Sequence, residues 1–453
     1  MGLSVIILAA GQGTRMRSDL PKVLQPLAGR PLLAHVLDCT AAIDADDVAV
    51  VYGHGGDVVK TACNRDGLRW VLQAEQLGTG HAVQQAMPGT PDANRVLVLF
   101  GDVPLLTAAT VERLISETPA DAVSILSVDR DDPTGYGRIV RAGDAVCGIV
   151  EHKDANAEQR AIAEINTGVM IAPAAKLKLW LDALGNDNAQ GEYYLTDVVG
   201  MAVAEGMTVK GVKADNGTEV MGINDKKQLA EAERALQARQ VDELMEQGVG
   251  FADPARVDIR GTLTCGKDVF VDVNAVFEGD VHLGDGARIG PNNLVRDSKL
   301  GAGTVVHSNC QIEGTITGDN CEIGPFARLP PGAEKASDVK IGNFDEVKKS
   351  TIAAGSKVNH LTYIGDAEIG TGVNVGAGTI TCNYDGANKH KTTIGDNASI
   401  GSNVNLVAPV EVGDGATIGA GSTISRDAPA NELTVARSEQ VSIKGWKRPE
   451  KKS

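Results

Sequence analysis

Residues 3–16 read LSVIILAAGQGTRM. Val5, Ile6, Ile7 and Leu8 form a short, continuous aliphatic run, the pattern of a parallel strand buried on both faces. The run stops at two alanines and enters a glycine-rich turn. Gly11 and Gly13 remove side chains where backbone N–H groups must approach a phosphate closely. Arg15 and, after Pro21, Lys22 supply the positive charge that a triphosphate requires. The loop has neither the GK[ST] ending of a P-loop nor the GxGxxG spacing of a dinucleotide fold. An ordinary strand–turn–helix also carries a glycine turn, so the weight rests on the full string with its cations.

Outward from this loop, residues 1–224 alternate aliphatic strands (4–9, 47–52, 95–100, 122–128, 147–150 and 168–172) with helical stretches such as 31–42, 79–87 and 107–116. That alternation predicts an α/β domain around a mostly parallel sheet, with ligands at the carboxyl ends of the strands. The glycine loop and FGDVP, after the 95–100 strand, both fall there. Residues 225–247 are rich in Ala, Leu, Glu and Gln without Gly or Pro, and predict one long connecting helix.

Beyond residue 250 the period changes to six. Cys265, Val271, Phe277, Leu283, Ile289 and Val295 form one run, and Ile394, Ile400, Leu406, Val412, Ile418 and Ile424 another. Shorter runs lie between them, among them Ile352, Val358 and Ile364. A helix would scatter such positions around its surface, and a simple strand would show a period of two. A triangular coil fits: each short side points one aliphatic inward, glycine takes the corners, and the coils stack at about 4.8 Å. About 190 residues at 18 per coil give roughly ten coils.

Composition bounds the partners. The net charge of −16 argues against nucleic acid and anionic membranes, though local positive loops still bind nucleotides. The seven cysteines are scattered with no CxxC, as in reduced cytoplasmic proteins. No apolar stretch approaches the roughly 20 residues of a membrane span.

LAAGQGTRM with Pro21 and Lys22 resembles the signature of sugar-nucleotide pyrophosphorylases. The six-residue repeat resembles that of hexapeptide acyltransferases, whose coils are left-handed and whose trimers hold acyl-CoA between adjacent prisms. Together with LQAEQLGTGHA, GDVPL, DDPTGYGRI, EINTG, QGEYYLTD, GNF, HLTYIGDAEIG and NVGAGTITCNYDGANK, they resemble the bacterial bifunctional N-acetylglucosamine-1-phosphate uridyltransferase and glucosamine-1-phosphate acetyltransferase family. The resemblance implies a Rossmann-like α/β nucleotidyltransferase domain (1–224), a connecting helix (225–248) and a left-handed parallel β-helix (249–453). It implies a homotrimer making UDP-N-acetylglucosamine for peptidoglycan and lipopolysaccharide.

For the first domain the resemblance implies attack of a sugar 1-phosphate oxygen on the α-phosphorus of UTP, with Mg²⁺ held by Asp102 and Asn224. It assigns the nucleotide to Leu8, Ala9, Ala10, Gly11, Gln73, Gly78 and Thr79, phosphate contacts to Arg15 and Lys22, and the sugar to Gly137, Glu151 and Asn166. Gly101 precedes the metal-ligating aspartate. A carboxylate suits Mg²⁺ chemically, yet an acid in a Gly–Asp turn is commonly a cap.

For the second domain it implies acetyl transfer from acetyl-CoA to the amine of glucosamine 1-phosphate. The amine must lose a proton, and imidazole is suited to accept it, which makes His360 the candidate general base. The resemblance gives Lys348, Tyr363, Asn374 and Lys389 to the sugar phosphate. It gives Ala377, Asn383, Tyr384, Ser402, Ala420 and Arg437 to acetyl-CoA. Residues 382–391 break the register and predict a projecting loop, and Cys382 reads as structural. Two positions depart from the family pattern. Gln12 stands where many relatives carry lysine. Pro330 replaces an arginine expected on the sugar phosphate, which makes a uridyltransferase with weakened acetyl transfer the alternative reading. A single-activity nucleotidyltransferase on a scaffold prism and a non-enzymatic nucleotide sensor are the further competitors.

Overall fold

A computed structural model describes every residue except Met1, Gln12, His54, Glu450, Lys452 and Ser453. The expectation about Gln12 therefore lies outside the described residues. The chain divides into two compact units, Met1–Leu236 and Gln237–Ser453.

The first unit is built on a sheet with the order Val209–Lys213, Val123–Asp129, Glu164–Pro173, Arg95–Phe100, Leu3–Ala9, Asp47–Tyr52 and Leu68–Leu72. The last four strands are mutually parallel. Glu164–Pro173 runs antiparallel to both of its neighbours in this order, so the sheet is mixed though mostly parallel. Leu3–Ala9 is buried along its whole length. Val5 and Ile7 join the core on one face, Ile6 and Leu8 the core on the other. This two-sided burial is why the strand reads as an unbroken aliphatic run. Leu8 pairs with Phe100, and the Gly101 amide donates to the Leu8 carbonyl at 2.9 Å. The glycine loop and Asp102 thus leave adjacent strand ends on the same edge of the sheet.

The second unit is a parallel β-helix. One face is an 11-stranded parallel sheet, and the other two faces make a 17-stranded one. Ile323, Ile341, Val358, Val375, Ile400 and Ile418 stack in register along the first face and are all buried. Successive members are 17 or 18 residues apart, except that Val375 to Ile400 spans 25. The excess is the predicted loop, which leaves the coil after the strand Ile380–Cys382 and returns at Thr392–Ile394.

Glycine's role differs in part from the expectation. The glycine after an inward aliphatic permits close stacking: a Cβ on Gly376 would lie 2.6 Å from the Gly401 carbonyl carbon in the next coil. The left-handed turn positions at one corner are held instead by Asn274, Asn292, Asn309, Phe326, Phe344, Leu361 and Asn403, with φ between 53° and 61°, and by Gly378 and Gly421. Asparagine tolerates this region by local hydrogen bonding, whereas phenylalanine and leucine occupy it at a cost.

The predicted helix spans Lys226–Glu246. Ala232 and Leu236 pack with Met16, Leu27 and Ile223 in the first unit, and Val241 and Leu244 belong to the β-helix core.

Candidate active sites

The glycine loop opens on a cleft of about 570 Å³ lined by Leu8, Ala9, Ala10, Gly11, Lys22, Gln73, Gly78, Thr79 and Asp102, all residues expected there, and by Gly13, Gln76, Phe100 and Glu192. Gly11 has open space where a Cβ would stand. Gly13 is required for another reason. Its φ is +62°, and a Cβ there would lie 2.5 Å from Lys22 Cβ, so it seats the lysine at the cleft wall. Gln73 is buried, and its Nε2 donates to the Gly78 carbonyl at 3.1 Å, holding the residue before the helix Thr79–Ala86. Three expected residues lie off the lining: Arg15, Gly101 and Asn224. Arg15 is exposed in the turn Thr14–Met16, and Gly101 is buried under Ala9 and Leu33, where its missing side chain lets the strands close.

Lys22 Nζ forms an ion pair with Asp102 and donates to Asn224 Oδ1 at 3.1 Å. A carboxylate and a carboxamide oxygen therefore converge on one cationic point at the cleft wall. An adjoining pocket of about 210 Å³ shares Thr79 and Phe100 with the cleft and is lined by Gly137, Glu151 and Asn166. Burial pushes the Glu151 carboxyl up, against the opposing hydrogen bond from Thr196. Gln76, Phe100, Glu192, Tyr136 and Thr196 were not singled out from the sequence. All five stand inside quoted strings: Gln76 in LQAEQLGTGHA, Phe100 in FGDVP, Tyr136 in DDPTGYGRI, and Glu192 and Thr196 in QGEYYLTD.

In the second unit the expected residues, Asn374 apart, separate into two groups. His360, Ala377, Ser402 and Ala420 take the same corner position in successive coils. The amides of Gly378, Asn403 and Gly421 donate to the carbonyls of His360, Ala377 and Ser402 at 3.0, 2.7 and 2.8 Å. Arg437 Nη1 extends this line by donating to the Ala420 carbonyl at 2.8 Å. The other group gathers where the loop projects. Asn383 Nδ2 lies 2.5 Å from Asp366 Oδ2 and 3.5 Å from the Tyr363 hydroxyl. Lys389 Nζ lies 3.7 Å from Asp366, and Tyr384 pairs with Lys389 across the loop. Lys348 reaches the same corner, its carbonyl accepting the Asp366 amide at 3.2 Å. Asn374 stands on another face, between Lys357 and Ser399. Burial raises the Cys382 thiol, which disfavours a nucleophilic thiolate.

Pro330 is buried, as is Leu329, whereas Arg328 is exposed and lies 3.3 Å from Glu346. The strand ends at Leu329, so strand alternation does not carry on, and Arg328 does not share a face with position 330.

Comparison with known proteins decides the family. Residues 5–166 match a MobA-like NTP transferase domain, and 391–426 match the bacterial transferase hexapeptide of six repeats. The bifunctional protein GlmU of Azoarcus sp. (strain BH72) is 56% identical, over 99% of this chain and 100% of its own. That of Aromatoleum aromaticum is 55% identical, over 99% of each. That of Acinetobacter baumannii (strain ACICU) is 54% identical, over 100% of this chain and 99% of its own. The chain belongs to the GlmU family. It is a bifunctional transferase with uridyltransferase and acetyltransferase activities, and the reading of a weakened second activity is not favoured.

Proposed function

We propose that the first unit joins N-acetylglucosamine 1-phosphate to the uridylyl group of UTP, with the nucleotide along the glycine loop and the sugar against Gly137, Glu151 and Asn166. The observation that carries this is the continuity of the cleft and the smaller pocket through Thr79 and Phe100. Both reactants are anions, so positioning and charge neutralisation supply most of the catalysis. Gly11 leaves the loop amides open, and Lys22 brings an ammonium to the phosphates.

Asp102 and Asn224 fit a Mg²⁺ ion. Their oxygens are hard donors already gathered around a cation, and a single carboxylate suits a metal that completes its shell with phosphate and water. When bound, the ion neutralises triphosphate charge that Lys22 alone balances poorly. Lys22, on the cleft wall beside them, would meet the phosphates.

We infer that the second unit transfers acetyl from acetyl-CoA to glucosamine 1-phosphate, with His360 accepting the proton from the attacking amine. The cofactor follows the corner line Ala377, Ser402, Ala420 and Arg437. Lys348, Tyr363, Asn374 and Lys389 receive the sugar phosphate. One prism presents the His360 line and the Lys389 loop at different corners, so a complete centre needs both corners brought together by neighbouring prisms. A homotrimer does this. The exposed Phe326, Phe344 and Leu361, one coil apart beside His360, are the kind of surface that association covers. All seven cysteines are free and no helix among the described residues is long and apolar enough to cross a membrane, which supports a cytoplasmic enzyme.

The test is to assay both half-reactions on one purified sample. Pyrophosphate release from UTP plus N-acetylglucosamine 1-phosphate, and thiol release from acetyl-CoA plus glucosamine 1-phosphate, are both expected. Loss of the second alone would restore the scaffold reading, and loss of both the non-enzymatic one.

A further inference from the structure

Asn343 lies opposite His360 in the parallel ladder, one coil earlier. Its Oδ1 meets the imidazole Nδ1. A carboxamide oxygen offers only lone pairs, so this contact requires the proton to sit on Nδ1. The Nε2 lone pair is then the one acceptor left on the ring, and the ring is exposed. A general base needs such a lone pair, held in one direction.

The backbone around the pair is already fixed. The His360 carbonyl accepts Thr362 Oγ1 at 2.7 Å and the Gly378 amide at 3.0 Å. The Asn343 carbonyl accepts the Leu361 amide at 3.0 Å. What these bonds leave open is the rotation of the imidazole, and the Asn343 side chain settles it. A neutral amide does so without adding charge. A carboxylate in its place would stabilise the imidazolium and keep the base protonated to higher pH.

We propose that Asn343 is a positioning residue for acetyl transfer: it fixes His360 in the Nδ1–H form and aims Nε2 at the acceptor amine. This rests on the reading of His360 as the base. The charged groups on the strands packed here are Lys357 on the same strand and Lys340 on the preceding one, and Asn374–Val375 beyond adds none. Asp345, buried in the adjoining corner, accepts the Thr362 amide at 2.9 Å. All three are unchanged in the variants below, so differences between variants report the Asn343 contact.

The experiment uses the full chain and follows thiol release from acetyl-CoA with glucosamine 1-phosphate across pH. Asn343→Ala is expected to lower kcat about tenfold or more while both KM values stay within about twofold. Asn343→Asp is expected to recover most of kcat, because a carboxylate oxygen accepts the same proton. It is also expected to move the acid-side midpoint of kcat/KM up by about one pH unit. The proposal is overturned if His360→Ala abolishes transfer while both Asn343 variants keep the parental kcat and midpoint. It is also overturned if Asn343→Ala is slow and Asn343→Asp neither recovers rate nor shifts the midpoint, the mark of a structural role. If His360→Ala retains full transfer, the reading of His360 as base fails instead.

Discussion

Lys335 should weaken this protein, and replacing it with methionine should strengthen it. The residue points inward from the strand Ala333–Lys335, in register between Thr317 and Ile352. It is 4% exposed, and its Nζ meets no hydrogen-bond partner among the described residues. Burial pushes the ammonium down from the ordinary 10.5 to about 7, with the Cys321 thiol opposing. The unfolded chain keeps its proton up to the ordinary value, so between these limits unfolding takes up a proton. Stability therefore falls as pH drops from about 10.5 to about 7, and the whole penalty persists below. At about 1.4 kcal/mol per pH unit the whole penalty is on the order of 5 kcal/mol. Methionine has nearly the same length and no charge to desolvate. Lys335→Met should gain about 2–4 kcal/mol at pH 7, a rise of several degrees in Tm, and the gain should vanish near pH 10.5. Thermal unfolding of both proteins by circular dichroism at pH 7, 9 and 10.5 measures it. A variant less stable than its parent at pH 7, or a gain that does not shrink with rising pH, would refute the reasoning.

Other outcomes follow from the two sites. Asp102→Asn should cut uridylyl transfer by about a hundredfold or more and flatten its response to added Mg²⁺, with acetyl transfer unchanged; equal losses in both assays would count against the assignment. Subunits carrying His360→Ala and subunits carrying Lys389→Ala should each be poor acetyltransferases, yet regain activity when unfolded and refolded together. No recovery in the mixture would mean that one prism supplies both residues to a centre. The KM for N-acetylglucosamine 1-phosphate should rise as pH falls through the raised range of Glu151, since the carboxylate is the stronger acceptor for sugar hydroxyls; Glu151→Gln should give a high KM with no such slope. Asp345 is buried and its carboxyl is pushed up to about 7. The folded protein therefore loses stability as pH rises from about 4 to about 7, and Asp345→Asn should flatten that part of the unfolding profile.

The hexad period was legible because every inward position must be apolar and one coil takes three sides of fixed length. Val358 and Ile400 fell where the count placed them. Lys335 was not legible, since no local rule announces a charge in a core. Asn343 stands in the quoted GNF, but its role was not legible either, because it lies in a neighbour 17 residues away. The edge strand Leu68–Leu72 escaped because it is only half-buried and carries Arg69, which pairs with Asp47 at 2.6 Å. In the first unit the loop residues were legible through resemblance, but Gln76 and Thr196 act through backbone and side-chain contacts that a string does not display. The two roles of helix Lys226–Glu246 were written in its sequence as two separate apolar pairs, Ala232 with Leu236 and Val241 with Leu244, though composition alone reads it as one spacer.

The excursion between Cys382 and Thr392 shows how this architecture absorbs change. Thr381 and Leu406 remain paired although 25 residues separate them, so the staircase closes over an insertion as long as the extra chain departs from a landing. A single residue added inside a tread would instead turn the rest of that tread inside out. The column can therefore carry a projection of different length at such a landing while keeping its pitch and dry interior.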